Sequence, residues 1–399
     1  MTANHTITAP AGFQAGAAAC GIKESGDPDV GLIVADAPCN AAGVFTTNRF
    51  CGAPIVVGRE HLQNGRLRAI VVNSGCANVA TGRRGVADAR KTCRIVADIL
   101  GTHETQVLPA STGVIGRFLP MEKIDAGIRE AVANLSDSPE AGHRFVRAIM
   151  TTDLKVKQAC EKVRINRATV TVAGCCKGSG MIAPNMATML AYLTTDAGIH
   201  PRRLRVLLQA AADKTFNRIT VDECESTSDM VVVLASGMAA AVARGRSESC
   251  FAGALKAVCE SLAYQIVADG EGATRVLEVV VHGAKNPQEA HAAARAVAVS
   301  PLVKTAVHGG DPNWGRIVQA LGQTSVAYKP DHVVVMLGKT VLFRKGAPVA
   351  GLSEAALAKL MDRKHVTITL DLNAGGAADR VLTCDLSRDY VKINADYHT

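Results

Sequence analysis

Aromatic residues are scarce in this sequence: Phe, Tyr and Trp make up 4% of 399 positions, with one tryptophan. That excludes the interleaved aromatic and basic stripe on which nucleic-acid bases stack. Charge of one sign is not concentrated either. The net charge is +8, and the basic residues are scattered. Their densest cluster, Arg202, Arg203 and Arg205, opens an amphipathic helical pattern and reads as a solvated face. A small anionic substrate in a mildly positive cleft remains compatible with this balance.

Zinc and disulfide spacing is also missing. None of the twelve cysteines forms a C-x-x-C pair, and the adjacent Cys175 and Cys176 suit neither a disulfide nor tetrahedral zinc. Buried free thiols in a reducing compartment are expected, with no metal. The first twenty residues carry neither the n-region and h-region of a secretory signal nor the arginines of a transit peptide. No uncharged apolar run reaches about 18 residues. A soluble, cytoplasmic chain is therefore expected, with neither membrane nor nucleic acid as partner. Phosphate loops are lacking too. "MLGKT" (336–340) ends like a Walker loop, but Val333 stands where its first glycine belongs, and "KGSG" lacks the later glycine of a dinucleotide fingerprint.

What is present is aliphatic: 48% of the residues are hydrophobic, enough for a large core. Short Val- and Ile-rich runs read as strands: "VGLIVA" from Val30, "PIVVG" (54–58), "RAIVVN" (68–73), "ATVTVAG" (168–174), "MVVVLASG" (230–237), "VLEVVVHG" (276–283), "HVVVML" (332–337) and "HVTITLDL" (365–372). Helical spacing marks residues 84–101, 121–135, 201–216, 250–269 and 353–364. Clustered strands followed by paired helices predict α/β layers rather than one doubly wound sheet. The polar stretch Asn134–Arg144 reads as a surface turn.

Four segments can carry chemistry. "PASTGVIG" (109–116) lies between a strand and a helix, where Thr112 and Gly113 would turn the chain and expose amides to a developing oxyanion. It reads equally as a plain strand-to-helix turn. "VHGGDPNWGRI" (307–317) is a tight loop whose Asp311, Asn313 and Arg316 meet a ligand or pin the loop. "DGEGAT" (269–274) sets Glu271 between glycines at a helix end, as a ligand for an amine or as part of a turn. Finally, "KGSGMIAPNMATMLAYLTTDAG" (177–198) holds Thr188 behind Ala187 in a nearly apolar run. An ordinary strand threonine bonds its hydroxyl to the backbone. A nucleophilic one needs an adjacent amine, and the simplest amine is its own, after cleavage between Ala187 and Thr188. Its α-amino group, with a pKa of roughly 7.7–8.0, would then serve as the base.

That segment resembles the processing site of the ornithine acetyltransferase/glutamate N-acetyltransferase family of arginine biosynthesis. The likeness runs over nearly the whole chain, through "NSGCANVATG" (73–82), "ASTGVIG" (110–116), "IMTTD" (149–153), "TFNRITVDECESTSD" (215–229), "ADGEGATR" (268–275), "SPLVKTAVHGGDPNWGRI" (300–317) and "YVKINADYHT" (390–399).

The resemblance implies a layered α-β-β-α sandwich of the self-processing ornithine acetyltransferase/aminopeptidase superfamily, with a smaller C-terminal α/β part. It implies self-cleavage at Ala187-Thr188 into residues 1–187 and 188–399, which stay associated as a dimer of α/β heterodimers. Thr188 is then the nucleophile, and Thr112 and Gly113 hold the oxyanion. Thr151 or Thr152, Lys177, Thr188, Glu271, Asn394 and Thr399 meet the substrate. The implied reaction moves acetyl from N-acetylornithine to glutamate through an acetyl-Thr188 ester, without a cofactor. Whether acetyl-CoA is a second acetyl donor stays open. In place of the family's usual smaller residues and Asn, the sequence has Glu223, Cys224 and Ser228, which bears on the rim of the site. The alternative in the same superfamily is an aminopeptidase or amidohydrolase, with water as acceptor.

Overall fold

A computed structural model describes residues 5–183 and 189–396. Ala187, Thr188 and Thr399 lie outside the described residues. The described residues form two compact units: those up to 217 with 224–266 in the first, and 218–223 with 267–396 in the second.

The first unit contains β1 (Phe13–Ala18), β2 (Val30–Phe45), α1 (Ala53–His61), β3 (Arg66–Cys76), α2 (Gly82–Leu100), β4 (Val107–Val114), α3 (Met121–Ala133) and α4 (Pro139–Ile149). It continues with β5 (Lys157–Ile165), β6 (Ala168–Lys177), β7 (Leu190–Thr195), α5 (Pro201–Lys214), β8 (Met230–Ala235) and α6 (Arg246–Ala268). Among the described residues the strands run in the order β4-β3-β2-β8-β7-β6-β5, with β1 also paired to β2. β2 is the hinge of this arrangement. Its first half pairs with β3, the register shifts between Val34 and Cys39, and its second half pairs with β8.

Side-chain alternation then builds the layers. Val30, Leu32 and Val34 of β2 join a core with Ala89, Cys93 and Val96 of α2 and Ile124 and Ile128 of α3. Ile33 and Ala35 point into a second core. There Ile70, Val72 and Leu108 meet Cys175, Tyr192, Val232 and Leu234, joined by Phe145 and Ile149 of α4. The Phe145 and Tyr192 rings meet edge-on at 5.7 Å. On the outer side of β6, Gly174 leaves room for Val258 and Leu262 of α6. Helix, sheet, sheet and helix thus follow one another, as the α-β-β-α expectation has it. With 23 residues, α6 is long and apolar enough to cross a membrane by composition, but Phe251, Leu255, Val258, Leu262 and Ile266 are buried.

Two readings are corrected. "PIVVG" is not a strand but the body of α1, which starts with a proline in its first turn. Asn134–Arg144 is not a surface turn throughout. Ser138 caps Ala141 N–H and α4 begins at Pro139, burying Ala141 and Phe145.

The second unit is the smaller α/β part. It comprises β9 (Val276–Ala284), α7 (Pro287–Val299), α8 (Pro301–His308), α9 (Trp314–Gly322), β10 (Val334–Leu337), β11 (Thr340–Arg344) and β12 (Ala347–Pro348). α10 (Glu354–Met361), β13 (His365–Asp371), β14 (Ala377–Cys384) and α11 (Arg388–Asp396) complete it. The sheet order is β12-β11-β10-β13-β9-β14. Leu277, Val279 and Val281 of β9 pack on Ala290, Ala293 and Val297 of α7. The 307–317 loop pins itself. Asn313 caps Arg316 N–H and donates to Asp311 at 2.9 Å, while the Arg316 guanidinium donates to Leu302 O at 2.8 Å.

Candidate active site

Thr112 and Gly113 lie within β4 rather than in a turn. They pair in parallel register with Ser74 and Gly75 of β3. β4 is the edge strand, so the amides along its outer side are not consumed by another strand. Gly113 adopts φ +125°, and a Cβ there would lie 2.4 Å from Gly75 C and 2.7 Å from Cys76 N. Only glycine fits this approach. The 73–82 motif builds the floor beneath it. Asn73 accepts from Ser111 Oγ at 2.6 Å and donates to Cys76 O at 2.8 Å.

Asp153 organises the opposite corner. Its Oδ1 accepts Lys157 Nζ at 2.6 Å and Gly178 N–H at 2.7 Å, and its Oδ2 accepts Thr151 N–H at 3.0 Å. The Lys157 and Asp153 side chains are 1% and 0% exposed. Burial pushes the Asp153 carboxyl up, but the Lys157 and Lys177 charges and the Lys157 and Gly178 hydrogen bonds outweigh it, leaving it below the usual range. Lys177, at the end of β6, is 8% exposed, and its side chain makes no hydrogen bond or ion pair among the described residues. It stands across the ladder from Leu190 of β7.

Thr152 and Thr151 separate on geometry. Thr152 Oγ1 is hydrogen-bonded to Ser179 Oγ at 2.7 Å. Thr151 engages through its backbone amide, and its hydroxyl has no hydrogen-bond partner among the described residues. α4 connects this corner to the β3–β4 end. Its Ala148 O accepts Ser74 Oγ at 2.6 Å and Lys23 Nζ at 3.4 Å. Lys23 also donates to Pro28 O at 2.9 Å. Burial lowers its pKa to about 8; Asp29, Asp27 and Asp153 oppose that shift, and Lys177 adds to it.

Asp229 was not singled out by sequence reasoning, although it closes the 215–229 motif. It precedes β8, is 3% exposed, and its Oδ2 has no hydrogen-bond partner among the described residues. Burial raises its pKa well above the ordinary value, against the opposing pull of Lys177, Ser226 and the Met189 amide. It stands at the entry to β7, where Met230 N–H donates to Met189 O at 3.1 Å. Asp153, Lys157 and Lys23 were missed as well. Asp153 had a signal, as the last residue of "IMTTD"; Lys157 and Lys23 had none.

In the second unit Glu271 and Asn394 come together: Asn394 Nδ2 donates to Glu271 Oε2 at 2.8 Å. The turn carrying Glu271 is tightly fixed. Gly272 has φ +69° and a Cβ there would strike Tyr390 N at 2.5 Å, while Ser387 Oγ donates to Gly272 O at 2.6 Å. Asp385 receives Thr274 and Arg275 N–H, each at 2.8 Å. Among the described residues, no three His, Cys, Asp or Glu side chains cluster to hold a metal. A groove of about 1000 Å³ in the first unit is lined by Arg59, Arg202, Arg205 and His200 and contains none of the candidate residues.

The ArgJ family model matches residues 14–399. The arginine biosynthesis bifunctional protein ArgJ of Symbiobacterium thermophilum is 48% identical over 398 residues, with 98% of each chain covered. The ArgJ of Dehalococcoides mccartyi is 46% identical, covering 99% of this chain and 97% of its own. A crystal structure of ArgJ from Bacillus halodurans is 42% identical, with a TM-score of 0.50, covering 52% of this chain and 98% of the solved one. By sequence along its whole length, this chain belongs to the ArgJ family.

Proposed function

We propose that the protein transfers acetyl from N-acetylornithine to glutamate through an ester on Thr188, after cleaving itself between Ala187 and Thr188. As an ArgJ family member it is an acyltransferase of arginine biosynthesis. The observation that carries the finer reading is Lys177, a largely buried lysine whose side chain has no hydrogen-bond or ion-pair partner among the described residues. Such a group calls for an anion from outside, and an amino-acid carboxylate fits. Thr151, whose hydroxyl is unengaged among the described residues, is the better second contact, because Thr152 is occupied by Ser179.

In this mechanism the α-amine of Thr188 takes the Oγ proton as Oγ attacks the acetyl carbonyl. The oxyanion meets donors at Thr112 and Gly113, each worth about 2.7–4 kcal/mol in comparable sites. The tetrahedral intermediate collapses, the proton passes to the departing nitrogen, and ornithine leaves an acetyl ester on Thr188. The glutamate amine then attacks that ester, and the proton returns to Thr188 Oγ as N-acetylglutamate departs. One amide replaces another, so no external energy source is required. Glu271, Asn394 and Thr399 are assigned to the substrate by family resemblance. The test is to supply N-acetylornithine with and without glutamate. Stoichiometric ornithine and N-acetylglutamate support the transferase; acetate released equally fast without glutamate would establish the hydrolase alternative. Replacing N-acetylornithine by acetyl-CoA in the same assay decides whether the protein has a second donor.

A further inference from the structure

Two lysines and one carboxylate share the buried corner at the end of β6, and their partners divide unequally. Asp153 takes Lys157 at 2.6 Å inside the protein, with both side chains sealed from solvent. Lys177 lies near enough to lower the same carboxyl, but its side chain bonds to nothing among the described residues. The backbone amides of Thr151 and Gly178 complete the shell of Asp153, so one carboxylate ties the Thr151–Thr152 segment to the Lys177–Gly178 corner. A lone buried carboxylate would draw in the nearest ammonium, because an unpaired buried charge costs several kcal/mol. With Lys157 absent, the cation that acts most strongly on Asp153 is Lys177.

We propose that Asp153 and Lys157 form a positioning pair: Asp153 anchors the substrate-carboxylate corner, and Lys157 neutralises it so that Lys177 stays available to the substrate. Neither residue touches the substrate; both act through Lys177 and the threonine segment. The inference rests on the acetyl-transfer reading and deepens it, by identifying what keeps the carboxylate-binding cation unclaimed.

The test uses the full-length, processed enzyme with two donors, N-acetylornithine and its carboxamide, which lacks the carboxylate. Lys157→Gln keeps a hydrogen bond to Asp153 and removes only the charge, so it avoids the fully unpaired carboxylate that Lys157→Met would leave. It should raise KM for N-acetylornithine about tenfold, the worth of one hydrogen bond to a charged group, with kcat little changed. With the carboxamide, variant and wild type should give the same kcat/KM. The double variant Asp153→Asn/Lys157→Gln, which leaves no buried carboxylate to capture Lys177, should recover most of the lost KM. An equal penalty on both donors, an unchanged KM, or a double variant worse than the single one would each overturn the proposal. Failure of the acetyl-transfer reading would show separately, as wild-type enzyme that forms no N-acetylglutamate.

Discussion

Gly113→Ala tests the proposed oxyanion site through its backbone. A methyl at this position would sit 2.4 Å from Gly75 C and 2.7 Å from both Gly75 Cα and Cys76 N. These are backbone atoms of a paired strand, so relief requires β4 to part from β3 by about 1 Å to approach normal carbon contact. Overpacking of this kind costs about 1–3 kcal/mol, and holding alanine at φ +125° adds roughly 1–3 kcal/mol. A shift of about 1 Å also takes the amides out of hydrogen-bond range, for a loss of about 10²–10³ in kcat. The control is Gly116→Ala. Gly116 also has positive φ, +83°, but has nothing within 4 Å of a new Cβ, so it should lose only about 1 kcal/mol and keep its kcat. Thermal unfolding and acetyl transfer from N-acetylornithine measure both terms. A Gly113→Ala enzyme with wild-type melting temperature and kcat would refute the assignment.

Three further outcomes are expected. Asp229 has a raised pKa in the folded state, so the stability linked to it is complete below the unfolded value near 4 and is lost as pH rises through the folded value. Asp229→Asn removes that loss, and its melting temperature should gain on wild type from pH 4 upward; parallel curves would contradict a raised pKa at the buried Asp229. Thr152→Val should cost about 1 kcal/mol of stability through the Ser179 bond, whereas Thr151→Val should raise KM with little change in stability. A thiol reagent at pH 8 should modify exposed Cys224 first. Cys39 and Cys259, whose thiols burial pushes up to about 12, should react only on unfolding.

The central strands were legible because both of their faces are buried. "MVVVLA" in β8 is buried at every position, and such a run leaves little alternative to an inner strand. The "PIVVG" misreading has a local cause. Ile55 and Val57 are buried while Val56 is exposed, a three-residue alternation that imitates a strand inside a helix. The second half of β2 was invisible because "NAAGVF" is too rich in small residues to signal a strand, and pairing with β8 decides it. For the site, long motifs pointed to Thr112, Gly113, Lys177 and Glu271. The role of Asp153 needed the fold, since only β5 pairing with β6 brings Lys157 opposite Cys176 and beside the carboxylate.

The same topology bears on processing. β7 lies between β6 and β8, so a cut at Ala187-Thr188 would leave chains that share one sheet and part only on denaturation. The most direct test of the central claim is mass spectrometry of wild type and Thr188→Ala, paired with the acetyl-transfer assay. The account predicts two wild-type chains, one beginning Thr-Met-Leu-Ala-Tyr, and an intact, inactive Thr188→Ala chain of 41.6 kDa. A Thr188→Ala protein that still cleaves at this bond, or still turns over N-acetylornithine, would contradict it.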